Sequence, residues 1–218
     1  MAALISHEPS TDLSFRDPDA AEALAVGLET RPLDGGSWRT DKGGALTEWP
    51  GFDDGAWWVQ DASAAIPARL LNVKPGETAL DLCAAPGGKT LQLAAAGADV
   101  VALDRSAQRM MRVTENLARI KLTAETYAAD AAAWDDPRTF DAVLLDAPCT
   151  ATGTFRRHPD VLWASRPGDI PKLAQTQVKL LDAAAGRGEG RRTAGLLRLL
   201  AGARRGRRPD RGLPRAPQ

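Results

Sequence analysis

Residues 80–90 read Leu80-Asp81-Leu82-Cys83-Ala84-Ala85-Pro86-Gly87-Gly88-Lys89-Thr90. An apolar strand, predicted over residues 78–82, feeds a turn of small residues. Pro86-Gly87-Gly88 then opens a helix predicted over 89–96. Glycines in such a turn let backbone approach a ligand, and the helix start presents unpaired N–H groups. The spacing is neither the dinucleotide fingerprint nor a phosphate loop. On its own, the turn reads more readily as an ordinary strand–helix connection than as a ligand site.

The rhythm continues outward from this turn. Strands are predicted at 99–103, 125–128 and 140–145, the last a continuous apolar run as in strands covered on both faces. Ser106 is a plausible N-cap. Ala107, Met110, Val113 and Leu117 behind it share one helical face. A further helix is predicted over 169–185, with Leu173, Leu180, Leu181 and Ala184 facing inward. Repeated strand–helix units specify an α/β, doubly wound parallel sheet. Residues 1–50 are mixed, with a short strand at Leu13–Arg16 and a helix begun by Asp17-Pro18-Asp19. They form a small α/β appendage, and 51–185 form the main domain.

The 218 residues carry 28 basic and 28 acidic side chains, a formal net charge of zero. Ten Arg, no Lys and two acids lie in 186–218, which leaves 18 basic and 26 acidic residues in 1–185. The terminal stretch is +8 and the rest −8. Its only apolar side chains are Ala and Leu, so no strand is expected there. The sheet is expected to lack its C-terminal strands and to end at an open edge. Hydrophobic content of 44% excludes a wholly disordered chain. No apolar run approaches the ~20 residues of a membrane span. No secretory leader is expected. Two cysteines 66 residues apart give neither a zinc spacing nor a disulfide framework, so no metal and a reducing cytoplasm are expected.

Three acids and a thiol complete the candidate site. Asp104 closes the second strand, where an acid can hold a ribose diol; the alternative is a capping Asp beside Arg105. Asp130 follows the third strand, and alone reads as a turn acid. Asp146-Ala147-Pro148-Cys149 follows the fourth, at the sheet edge where ligands bind. Cys149 read alone is a small buried hydrophobe, but its polar Thr/Gly-rich loop fits a lined cleft better. Arg156, Arg157 and His158 next in line are candidate phosphate contacts, or a solvated basic turn.

Together LDLCAAPGGKT, ALDRS and LLDAPCTATGTFRRHPDVLW resemble the RsmB/Nop2/Sun RNA (cytosine-C5) methyltransferases, in their bacterial 16S ribosomal RNA branch. The resemblance covers about residues 10–185, and GFDDGAWWVQDASAAIPARLL adds to it. It implies the class I S-adenosylmethionine-dependent fold, with residues 1–50 as part of an RNA-binding appendage. It further implies that Cys83, Ala84, Ala85, Pro86, Gly87, Gly88 and Lys89 wrap the methionine and ribose of S-adenosylmethionine. Asp104 would hold the ribose, Asp130 the adenine, and Asp146 both cofactor and cytosine. Cytosine C5 is a poor nucleophile, so a thiolate adds to C6 and makes C5 enamine-like. The resemblance assigns product release to Cys149 and the attack to a later cysteine, which this sequence lacks.

The expected protein is therefore a monomeric 16S rRNA methyltransferase by descent, without turnover as written. A catalytically dead RNA-binding protein with a basic tail is the alternative. A small-molecule methyltransferase is disfavoured by the Pro-Cys and RRHPDVLW stretches. A one-base shift in the codons of 186–206 permits a Cys-x-Cys-Ser run at the family's spacing. Residues 186–218 are thus expected to be disordered text from a shifted frame, with a true Arg-rich RNA-binding tail as the rival.

Overall fold

The computed structural model describes residues 9–151, 154, 157, 161, 167–188 and 193–194. The first element, β1 (Thr11–Phe15), leads to α1 (Pro18–Leu24), whose Asp17 cap accepts from the Asp19 N–H at 3.0 Å. β2 (Thr30–Pro32), β3 (Trp38–Thr40) and β4 (Trp57–Val59) complete an antiparallel sheet in the order β2-β3-β1-β4. Its core is Leu13, Leu28, Trp49, Ala56 and Trp57. Because β4 belongs to this sheet, the small unit runs to Val59, past the expected boundary at residue 50. Trp57 pairs with Phe15, and that cross-strand partner is not visible in local composition.

The helix α2 (Ala62–Leu71) then crosses to the second sheet. Its strands are β5 (Thr78–Leu82), β6 (Asp99–Asp104), β7 (Glu125–Ala128), β8 (Ala142–Leu145) and β9 (Thr193–Ala194), all parallel, in the order β7-β6-β5-β8-β9. The helices α3 (Gly88–Ala95), α4 (Ala107–Ile120) and α5 (Ile170–Ala185) connect or follow them. Successive strand residues face opposite layers. Leu80, Leu82, Val143 and Leu145 pack with Leu180 and Ala184 of α5. Ala79, Ala142 and Leu144 pack with Ala68 and Leu71 of α2 and Leu93 of α3. The doubly wound expectation holds: both faces are covered, and each fully buried Leu contributes about 1.5–3 kcal/mol.

The amphipathic reading of α4 is also met. Met110, Val113, Leu117 and Ile120 are buried, and Ser106 caps the helix by accepting from the Arg109 N–H. The two sheets are fused at its end. Arg119 donates to the carbonyls of Phe52 and Trp57, and Arg16 donates to that of Ile120. Gly55, at φ +65°, lies so close that a Cβ there would sit 2.0 Å from the Arg119 carbonyl oxygen.

One expectation is corrected. The stretch after Ala185 was predicted to hold no strand, yet β9 pairs with β8, Thr193 opposite Val143 and Ala194 opposite Leu144. Gly188 bridges Phe140, and the Phe140 N–H donates to the Arg187 carbonyl. The Arg187 guanidinium donates to the Trp134 and Asp136 carbonyls and lies over the Trp134 ring. Edge pairing uses backbone groups, which any residue except proline supplies. A missing β-branched apolar pattern therefore does not forbid a strand. The rest of the expected tail, 189–192 and 195–218, lies outside the described residues.

Candidate active site

The chain leaves β5 for β6 and β7 on one side, then returns to β8 on the other. The strand order therefore reverses between β5 and β8, and a parallel sheet opens a crevice at the carboxyl ends of its strands there. A cleft of about 270 Å³ occupies this place. Cys83 and Ala85 line it from β5, Asp104 from β6, Asp130 from β7, and Asp146 and Cys149 from β8. Cys83 and Cys149, 66 residues apart in sequence, thus converge because each follows a strand. Ala84, Pro86, Gly87 and Gly88 form the turn behind Cys83, where Gly87 adopts φ +106° to start α3.

Asp104 is buried and well partnered. Its carboxylate accepts from the N–H groups of Ala85 (3.3 Å) and Ser106 (3.0 Å), and Arg109 pairs with it at 3.2 Å. Arg109 also donates to the Ala85 carbonyl at 2.6 Å, so one guanidinium ties the turn to the end of β6. Lys89 reaches across from α3 to Asp146 at 2.7 Å. Asp81 lies beneath, wholly buried, its Oδ2 accepting from the Thr90 hydroxyl at 2.6 Å. Its Oδ1 has no hydrogen-bond partner among the described residues. Burial pushes the Asp81 carboxyl up to about 7, against the Thr90 bond and Lys89, with Asp146 and Asp104 reinforcing the rise. Burial likewise pushes the Cys83 thiol up to about 12, aided by Asp104, Asp81 and Asp146.

Asp130 is exposed at the rim, where its Oδ1 accepts from the Ala132 N–H. The Cys149 Sγ accepts from the Ala151 N–H at 3.4 Å, and the Pro148 carbonyl accepts from buried Gln177 of α5 at 2.8 Å. Arg157 is turned away from the cleft and donates to the Ser10 carbonyl at 2.7 Å. Arg156 and His158 lie outside the described residues. Sequence reasoning missed Arg109 and Gln177. Arg109 was legible only as the residue whose N–H meets the Ser106 cap. Gln177 sat unnoticed as a polar position on the apolar face of α5. Among the described residues, no group of three His, Cys, Asp or Glu could hold a metal ion.

The family model for 16S rRNA methyltransferase RsmB/F matches residues 68–197. The chain belongs to the RsmB/F family. Ribosomal RNA small subunit methyltransferase B of Erwinia tasmaniensis is 48% identical over 182 residues, covering 81% of this chain and 41% of that protein. The Pseudomonas putida protein of the same name is 51% identical over 140 residues, covering 62% and 32%. The chain thus spans well under half the length of these RsmB relatives. A methyltransferase homolog protein from Pyrococcus horikoshii superposes with a TM-score of 0.73 at 25% identity, over 90% of this chain and 68% of that one. NSun6 from the same organism, solved with SFG, gives 0.61 at 30% identity, over 68% and 39%. The fold is that of the class I methyltransferases, and its RsmB/F cleft is built from the motif residues themselves. No helix among the described residues is long and apolar enough to cross a membrane.

Proposed function

We propose that this chain carries the S-adenosylmethionine site of an RNA (cytosine-C5) methyltransferase acting on 16S ribosomal RNA. One observation carries the reading: three carboxylates from successive strand ends and the Cys149 loop converge on one cleft behind the glycine turn. The residues fit the group. Each carboxylate oxygen has two lone pairs, so Asp104 keeps acceptor capacity for a ribose hydroxyl beside its present donors. Asp130, at the rim, accepts an amino group such as that of adenine. Arg109 neutralises Asp104 and holds the turn in place. The neutral Cys83 thiol and Ala85 form an uncharged wall for the methionine part.

Bound S-adenosylmethionine would supply the methyl group. Lys89 holds the Asp146 carboxylate between that wall and the Cys149 loop, where it can accept from a cytosine amino group. An RNA base reaches such a cleft only when extruded or already unpaired. Cys149, at the loop, is placed to assist release of the methylated base. The chain has two cysteines, and none follows Cys149. The expectation is therefore binding without turnover by this chain alone.

Calorimetric titration with S-adenosylhomocysteine, paired with tritiated methyl transfer to a 16S rRNA fragment, tests both halves. Binding without transfer supports the reading. Transfer would show that a later cysteine is not required, and absence of binding would remove the cofactor assignment.

A further inference from the structure

Arg157 was expected to meet RNA, but its partly exposed guanidinium is engaged within the protein. Its guanidinium donates to the Ser10 carbonyl at 2.7 Å, across 147 positions of sequence. It lies 3.9 Å from Asp61, the N-cap of α2. It also faces Asp12, a fully buried carboxylate of β1 already bound by Arg39 and the Ala62 N–H. Both acids are held below the ordinary aspartate range. For each, burial opposes the effect and is outweighed: at Asp12 by the Arg39 and Ala62 bonds, at Asp61 by its bonds to Ser63, with Arg157 contributing at both. Arg157 is thus a second cation, beside Arg39, for Asp12 of β1 and for Asp61 two residues past β4.

The other end of the same loop is fixed on the large sheet. Gln177 holds the Pro148 carbonyl and Lys89 holds Asp146. Between the two anchors the Ala151 N–H meets the Cys149 sulfur, and Thr154 bonds back to the Ala151 carbonyl. The Arg157 N–H meets the Thr154 carbonyl. The described residues at the two ends of the stretch that carries Cys149 are therefore both bonded, and Arg157 at its far end meets Ser10 beside β1.

We propose that Arg157 is a positioning residue that straps the Cys149 loop to the small sheet through the Ser10 carbonyl and Asp61. The sheet then acts on the reacting loop directly, beyond any contact it makes with RNA. The proposal goes beyond the methyl-transfer reading and does not depend on it.

The test uses the full chain without RNA or cofactor. Iodoacetamide modification of Cys149 is followed by peptide mass mapping, which separates it from Cys83. Deuterium exchange is read in the peptide spanning Asp146 to Arg157. Arg157→Ala should raise both rates about tenfold, the scale of one lost charge-assisted hydrogen bond, with exchange in β5 and β6 unchanged. Arg157→Lys should recover part of the protection. Asp61→Asn should raise the rates less, and should add little on top of Arg157→Ala, because both remove one contact. If Arg157→Ala does not fold, Arg157→Lys and Asp61→Asn carry the test, and wild-type rates in both would overturn the strap. Wild-type loop rates in Arg157→Ala would also overturn it. So would a salt slope of RNA binding that falls by about one with an undisturbed loop, since that marks a phosphate contact. Neither probe involves the methyl donor, so a failed strap and a failed cofactor site give different results.

Discussion

Asp81→Asn should stabilise the protein, and more so as pH rises. In the folded chain the Asp81 carboxyl is raised from 3.8 to about 7. The folded state therefore keeps a proton that the unfolded chain has lost, and stability falls as pH climbs through that window. At 1.36 kcal/mol per pKa unit, the penalty is about 1.7 kcal/mol near pH 5. It levels off at about 4 kcal/mol near pH 8. Asn keeps the shape, an acceptor for the Thr90 hydroxyl and no charge, so it escapes the penalty at every pH. Urea unfolding of both proteins at the two pH values, with equal slopes required, measures the difference. The mutant's advantage should grow by about 2.5 kcal/mol between them. An advantage that stays constant, or shrinks as pH rises, would show that Asp81 is ionised in the folded chain and would refute the argument.

The other predictions concern packing, the cleft and the small sheet. Gly55→Ala combines a positive φ with a Cβ 2.0 Å from a backbone carbonyl of α4, so a loss of about 3 kcal/mol or more is expected in denaturant unfolding. Asp104→Asn should weaken S-adenosylhomocysteine binding at least about tenfold by calorimetry, as a charge-assisted acceptor is lost, and should also lower the melting temperature, because the bonds from Ala85 and Ser106 and the pair with Arg109 weaken. Arg39→Met leaves the buried Asp12 carboxylate without its partner. Because Arg39 is itself 34% exposed, the lower part of the buried-pair range applies, about 2–3 kcal/mol near neutral pH. The folded Asp12 carboxyl lies below its ordinary 3.8, so its contribution is present above that value and lost as pH falls through the folded one. The acid limb of the stability curve should therefore flatten in Arg39→Met.

The large sheet was legible because each of its signals is local. Leu80, Leu82, Val143 and Leu145 lie in short apolar runs, and a run of that length between turn residues specifies a strand covered on both faces. Site acids at strand ends follow from the same reading, since a parallel sheet presents its carboxyl edge to ligands. What escaped was set by partners far away in sequence. Trp57–Val59 becomes a strand because β1 lies beside it. Thr193–Ala194 joins the sheet because β8 offers an edge. Arg157 reads as one basic residue among several until Ser10, Asp12 and Asp61 are gathered around it by the fold. A basic run in sequence reports charge, and only the acceptors within reach decide whether that charge faces solvent, RNA or the protein's own carboxylates.

The two cysteines make the same point in chemistry. Both line one cleft, and residue type alone cannot separate their roles. Cys83 is the first residue past β5, held at φ +64°, where burial, reinforced by the Asp104 carboxylate, keeps its thiol neutral at any physiological pH. The thiolate is the nucleophile, so Cys83 is chemically quiet and serves as wall. Cys149 stands four residues beyond β8, on a loop whose N–H at Ala151 points to its sulfur. The difference is the distance each travels from its strand end: one residue keeps a side chain inside the sheet's layer, and four carry it onto a loop. If the strap at Arg157 holds, the small sheet sets where that loop lies. The division of labour between the two thiols then depends on both sheets, although both thiols follow strands of the large one.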